Sequence, residues 1–385
     1  MKITAVVCEF SPFHYGHEYL LKKIKEQSDA VICIMSGSFT ERGEAAILSA
    51  ERRARAALKG GANLVLELPF PFSACGAEKF AYGGVSIAEA LGCVDELAFG
   101  SECGDAEIIK STAENLLGER FQNALSSALG DKHERSYSDI YFDVYRSVFG
   151  KSSVFDGSND ILAVSYAKQL FDLGSGIKLK AIKREGESFA GEGCGFASAS
   201  NIRKIINEGG DFSALVPSYS ADEIRCAVSS GEIYDMSRLF APLAAMYRIG
   251  EKAICQDAVE INPELYNRIK NAFESETSFD GVLKKAVTKR YSMSRVRRSI
   301  LFSVLGVRAE NLEKVEFTKL LGADSVGREI LSKIKKTSGI EIITKPSSYE
   351  SEAYALLKKA DALCSLAKKK QGSAFENLLR SPVII

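Results

Sequence analysis

The stretch Val7 to Leu20, VCEFSPFHYGHEYL, decides how the rest of the chain is read. The apolar run Ile3 to Cys8 leads into it and reads as a buried first strand. That run stops at Glu9, and Pro12 holds Ser11 in an extended or turn conformation. His14, Tyr15, Gly16 and His17 follow, and the spacing of Leu20, Leu21 and Ile24 predicts a helix opening there. A strand, a tight turn and two histidines at a helix start make a phosphate site. The helix end offers unpaired backbone N–H groups and a partial positive charge. Gly16 lacks a Cβ, so a base or ribose can lie against the backbone. The imidazoles can donate to phosphate oxygens as charge builds in a transition state. The chain has three histidines and two sit in this turn, so a chance pairing is the weaker reading. His133 stands alone in a polar stretch and reads as surface.

Outward from this turn the chain alternates. Ala30 to Met35 and Asn63 to Leu68 read as the second and third strands, Leu97 to Phe99 as a short fourth, and Ile177 to Lys183 as another. Helices are expected at Ser49 to Leu58, with Ser49 as N-cap, and at Ile108 to Leu117. A further helix is expected at Glu78 to Leu91, interrupted at Gly83-Gly84. This alternation predicts a parallel sheet with ligand loops at the strand C-termini. One such loop, Ser36 to Gly43 (SGSFTERG), presents Arg42, whose planar fork suits a phosphate or carboxylate. A surface arginine paired with Glu41 or Glu44 is the alternative there. Phe196 to Arg203 (FASASNIR) closes the alternating part, with a helix expected near Ser200.

From about Asn207 the pattern turns to short helical stretches, and Gly209 to Pro217 reads as a linker. The expected fold class is therefore α/β: a Rossmann-like parallel-sheet domain over 1–208, then a mainly α-helical domain over 209–385. In the second part Thr288 to Leu305 predicts a helix capped by Ser294, with Val296, Ile300, Leu301 and Val304 on its apolar face. Lys289, Arg290, Arg295 and Arg298 are expected to project from its start and opposite face, with Tyr291 as a stacking surface. That combination suits an RNA backbone; a solvated charged face is the alternative.

Bulk composition bounds the rest. The 385 residues are 46% hydrophobic and 26% charged, as in globular proteins, and exceed one ordinary core. Lys+Arg and Asp+Glu balance at 50 each, so a nucleic acid must be met by a local patch. Nine cysteines without a C-x-x-C pair argue against a zinc site or disulfide framework and for a reducing cytoplasm. Met1 to Cys8 carries no signal-peptide pattern, and no apolar stretch reaches membrane-spanning length, so no membrane partner is expected.

The His-x-Gly-His turn resembles the HIGH-type signature of nucleotidyltransferases, and Ser198, Ser200, Ile202 and Arg203 resemble their second signature, with Ala199 in place of its middle serine. The blocks EFSPFHYGH, MSGSFTERGE, LVLELPF, FGSECGD, SNDILAVSY, IKREG, ASASNIR, KRYSMSRVRRSIL, GADSVGREILSKIK and IITK run in order along nearly the whole chain. Together they are similar to the bacterial tRNA(Met) cytidine acetate ligase family. The resemblance implies an enzyme that makes acetyl-adenylate from ATP and acetate, then acetylates the wobble cytidine of elongator tRNA(Met). It implies ATP contacts along Val7, Cys8, Glu9, Phe10, Ser11, Pro12, Phe13, His14, Tyr15, Gly16, His17, Glu18, Tyr19 and Leu20, and at Gly100, Asn159 and Arg184. His14 and His17 are the expected catalytic pair, and Arg42, Ser198, Ser200 and Arg203 the further phosphate candidates. Mg²⁺ is expected to come with ATP, with no dedicated protein metal site. A small-molecule nucleotidyltransferase and a non-catalytic RNA-binding protein are the rivals. The chain departs from the family pattern at Ser11 (Asn), Glu41 (Gln) and Ser188 to Gly191 (a Tyr-His-Asp-like stretch).

Overall fold

A computed structural model describes residues 1–130, 135–184 and 196–385. His133 and the Ser188 to Gly191 departure lie outside the described residues.

Five parallel strands form the centre: β1 (Ile3–Cys8), β2 (Ala30–Ser36), β3 (Leu64–Leu68), β4 (Glu96–Ser101) and β5 (Lys178–Lys183). Their order, β5-β4-β1-β2-β3, is that of a Rossmann-like half. β1 and β2 are apolar nearly throughout because both faces are covered. Ile3, Ala5, Ile32 and Ile34 point into one core, and Val6, Cys8, Val31 and Cys33 into another.

The helices that bear on the site are α1 (Tyr15–Lys25), α2 (Ala50–Lys59), α3 (Ala77–Ala90), α4 (Ser158–Asp172), α5 (Ala199–Asn207), α6 (Ser218–Ser230), α7 (Met293–Leu305) and α8 (Glu352–Ser365). Ser49 caps α2 and Ser198 caps α5. The cap of α7 is Ser292 rather than Ser294; its hydroxyl accepts from Arg295 N–H at 3.4 Å.

The expected interruption of α3 at Gly83-Gly84 is absent, because these glycines serve packing. A Cβ on Gly84 would lie 2.5 Å from Val7 Cγ2, and one on Gly83 would lie 2.7 Å from Phe72 Cβ. Gly84 lets α3 settle directly against β1, and Gly83 against Phe72 and Leu68.

Residues 209–385 are mainly helical, and they also return three strands to the sheet. β6 (Phe317–Ala323) runs antiparallel to β3, and β7 (Glu341–Ile343) and β8 (Val383–Ile384) pair with β6. The core cluster holding Ile32 and Leu64 also holds Leu320, Ile330 and Leu357. At this join Lys319 is buried beside Glu67 with Nζ 2.8 Å from Oε2, and Thr318 Oγ1 donates to the Glu67 carbonyl. Asp361 of α8 accepts from Ser38 Oγ at 2.5 Å, so the buried charges tie α8 and β6 to the ends of β2 and β3.

In an ordinary helix interior, Gly→Ala stabilises by about 1 kcal/mol. Gly84→Ala is expected to do the reverse, costing about 1–3 kcal/mol through overpacking. Urea denaturation of the two proteins measures the sign.

Candidate active site

The chain leaves β1 outward to β2 and β3 before it returns to β4, so β1 and β4 flank a switch point. A cavity of about 440 Å³ opens there, lined by the ends of β1, β4 and β5 and by α1. Phe10 turns the chain off β1 at φ +49°, a region costly for a side chain with a Cβ. Its ring is buried, 5.0 Å from Phe13 and 4.8 Å from His17, and that packing holds the turn.

His14 is the N-cap of α1. Its Nδ1 accepts from Gly16 N–H at 3.0 Å, and His17 Nδ1 accepts from His14 N–H at 3.3 Å. Both Nδ1 atoms are therefore bare, and each neutral ring carries its proton on Nε2. The rings stack at 3.7 Å. Burial, then Arg184 and Arg203, lower His14 to about 4. Burial, then His14 and Arg184, push His17 well below its ordinary value. The result is two neutral donors, fixed before any ligand arrives, at a helix N-terminus.

Three guanidinium groups reach the same cavity. Arg42 and Arg184 are exposed and form no ion pair among the described residues. Arg184 packs across Gly100, where a Cβ would meet its Cγ at 3.4 Å. Arg203 donates to the Ser11 carbonyl at 2.9 Å and pairs with Glu44 at 3.1 Å, and Glu44 also holds Arg297 of α7 at 2.7 Å. Arg42 thus belongs to neither Glu41 nor Glu44. Two carboxyls, Glu9 and Glu41, also line the cavity.

The β4 loop is set by residues that sequence reasoning did not single out. Asp160 accepts from Ser101 Oγ and from the N–H groups of Glu102 and Cys103. Glu102 in return accepts from Asn159 Nδ2 at 2.5 Å and from Asp160 N–H at 3.0 Å. Their signal was adjacency to the Gly100 and Asn159 blocks. Arg53 of α2 was also missed. It is wholly buried and donates to the carbonyls of Glu9, Ser36, Gly37 and Leu48.

Most of the expected nucleotide positions come together. Val7, Cys8, Glu9, Phe10, Ser11, His14, Gly16, His17, Tyr19, Leu20, Gly100, Asn159 and Arg184 line the cavity. Pro12, Phe13, Tyr15 and Glu18 are outside its lining. Phe13 is core beneath the turn, and Glu18 accepts from Tyr219 of α6. Ser198 spends its hydroxyl on capping α5 and Ser200 accepts from Arg203, while their neighbours Ala197 and Ala199 line the cavity.

The basic face of α7 needs two corrections. Tyr291 is fully buried, with its hydroxyl 2.9 Å from Glu264, so it offers no stacking surface. Arg298 points inward: its Nε donates to Glu260 at 2.8 Å and its Nη1 to the Glu41 carbonyl at 3.2 Å. Lys289 and Arg290 are exposed, and Arg295 is half-buried over the Tyr291 ring with Nε 3.3 Å from the Glu260 carbonyl.

The HIGH Nucleotidyl Transferase family model matches residues 1–377. A tRNA(Met) cytidine acetate ligase of Clostridium perfringens is 34% identical over 376 residues, covering 91% of this chain and 92% of the relative. The chain belongs to the tRNA(Met) cytidine acetate ligase family. A Clostridium acetobutylicum ligase of that name is 32% identical over 396 residues, 96% of each chain. The crystal structure of Thermotoga maritima TmcAL bound with α-thio ATP matches at TM-score 0.89 and 27% identity over 100% of both chains. The fold described above is therefore that of a solved family member.

The histidine geometry fixes a pH dependence. An unfolded histidine binds a proton below about 6.5, while His14 resists until about 4. The unfolded chain then binds more protons in that window, so this contribution to stability falls as pH drops from about 6.5 towards 4. Imidazole nitrogen NMR shifts at pH 5.5 are expected to show two neutral rings protonated at Nε2.

Proposed function

We propose that this chain is an ATP-dependent tRNA(Met) cytidine acetate ligase. The full-length similarity to ligases of that name carries the reading, and the pocket chemistry is suited to it. A cytosine amine is a poor nucleophile and acetate a poor acyl donor. Adenylation of acetate supplies a leaving group, after which positioning does most of the work. An acetate oxygen attacks the α-phosphorus and pyrophosphate leaves. The cytosine N4 then attacks the acetyl carbon, AMP leaves, and one amine proton is lost.

The residues divide accordingly. The neutral Nε2–H groups of His14 and His17 and the start of α1 meet charge developing on the α-phosphate. Arg184, over Gly100, and Arg42, from the loop after β2, take the remaining phosphates. Arg203 positions the turn through the Ser11 carbonyl. Among the described residues no group of three or more His, Cys, Asp or Glu could hold a metal. Mg²⁺ would come with the ATP phosphates and would supply charge neutralisation there. Residues 1–208 carry the nucleotide chemistry, and 209–385 present elongator tRNA(Met) with Lys289, Arg290 and Arg295 at the start of α7. No described helix is long and apolar enough to cross a membrane, and a tRNA substrate supports a cytoplasmic location.

The test is incubation with ATP, acetate and elongator tRNA(Met), followed by nucleoside mass analysis of the tRNA. Acetylcytidine at the wobble position is the expected product; an unmodified tRNA beside a nucleotidylated small molecule would establish the rival transferase. His17→Ala is expected to remove acetate-dependent adenylation by at least ~100-fold while tRNA affinity changes less than about twofold. The double variant Lys289→Glu, Arg290→Glu is expected to weaken tRNA binding at least about tenfold at low salt. Filter binding across a salt series measures it.

A further inference from the structure

The first half-reaction moves no proton, because acetate attacks as the anion. The second releases one from the cytosine amine, and something in the pocket must receive it. The histidines are unsuited as they stand: each Nδ1 already accepts a backbone N–H, and each Nε2 carries the proton. Lys183 donates to the carbonyls of Glu102 and Cys103. Burial pushes the Cys8 thiol and Tyr166 hydroxyl up, further from ionisation. Among the described lining residues the carboxyls of Glu9 and Glu41 remain.

Of the two, Glu9 is the better placed. Its backbone carbonyl is held by Arg53 at 2.7 Å, and its Oε1 accepts from Glu41 N–H at 2.8 Å. Oε2 makes no hydrogen bond or ion pair among the described residues. Glu41 instead turns to Arg298, 3.8 Å away, with Glu260 beyond. Glu9 also stands where a carboxylate has no business with phosphate: at the end of β1, in a cavity built to receive a polyanion. Arg203, Arg53 and Arg42 are the cations near enough to favour a carboxylate there.

We infer that Glu9 is the catalytic base of acetyl transfer, with Oε2 taking the proton from the cytosine N4 as it attacks acetyl-adenylate. This rests on the ligase reading above. In the step, N4 forms a bond to the acetyl carbon and the carbon–oxygen bond to AMP breaks. The N–H electron pair stays on nitrogen, the proton passes to the carboxylate, and AMP leaves as the anion. The surroundings fit a base of useful strength. Burial raises Glu9 above an ordinary glutamate, opposed by the Glu41 N–H and by Arg203 of α5, Arg53 of α2 and Arg42 of the loop. Cys8 and Tyr166 face it without charge. Glu41, raised to about 7 chiefly by burial, is largely neutral beside it in mildly acid solution.

Glu9→Gln keeps an oxygen for the Glu41 N–H and removes the basicity. The experiment compares two rates in wild type and E9Q: acetate-dependent ATP–pyrophosphate exchange, and single-turnover transfer from preformed acetyl-adenylate to tRNA. Transfer in E9Q is expected to fall on the order of 100-fold more than exchange. Equal loss in both, or an altered Mg²⁺ requirement for exchange, would make Glu9 part of the nucleotide site and overturn the assignment, as would transfer at the wild-type rate. The wild-type pH profile is a second reading independent of how well E9Q folds. Transfer is expected to decline on the acid side as Glu9 protonates, without the same decline in exchange; parallel profiles contradict the assignment. If wild-type protein makes acetyl-adenylate but modifies no tRNA, the ligase reading falls with it. If wild type and E9Q acetylate equally, only the assignment of Glu9 falls.

Discussion

A single buried cation organises the catalytic edge. Arg53 is wholly enclosed, and burial lowers its affinity for a proton. Among the described residues it has no carboxylate in hydrogen-bond contact; its donors go to carbonyls from the end of β1, the end of β2 and the approach to α2. Three of those carbonyls, of Glu9, Ser36 and Gly37, sit at or just past strand ends, where the ladder runs out. The guanidinium has enough donors in a fixed fork to serve several at once, which an ammonium does not. Those bonds and attraction to Glu9 and Glu67 offset part of its desolvation cost. The strand ends that carry the two site loops are in this way locked to one another.

Around that lock, the histidine pair is uncharged before substrate arrives. The two histidines cap α1 through their own Nδ1 atoms and present N–H groups outward, uncharged because they are buried, stacked and near arginines. Fixed donors of this kind need little reorganisation when phosphate charge develops. Glu44 joins Arg203 to Arg297, and Arg298 joins Glu41 to Glu260. The loop that bears Arg42 is consequently braced from α5 on one side and α7 on the other.

The central strands, the turn and α1 were legible because their signals are local: unbroken apolar runs, a proline, a glycine and a cap. The residues of the turn were placed at the cavity because the motif sets them side by side, whereas Gly100, Asn159 and Arg184, which also line it, followed from the family resemblance. What escaped depends on partners distant in sequence. β6 contains Lys319, which argues against a buried strand until Glu67 is seen beside it. Arg298 looked solvent-facing because the loop bearing Glu260 cannot be placed from the helix alone. Tyr291 looked like a stacking surface beside basic residues and is instead a core ring whose hydroxyl reaches Glu264. Gly83-Gly84 looked like a break because propensity favours that reading, whereas Val7 of β1 against Gly84, and Phe72 and Leu68 against Gly83, demand their smallness.

The central claim is that one pocket at the β1/β4 switch point activates a short carboxylate on ATP. ATP–pyrophosphate exchange in the absence of tRNA tests it most directly, with acetate as the varied component. Exchange that is absent without acetate and saturates as acetate is added is the expected result. Exchange that appears without any carboxylate, or with none among the short acids, would contradict it.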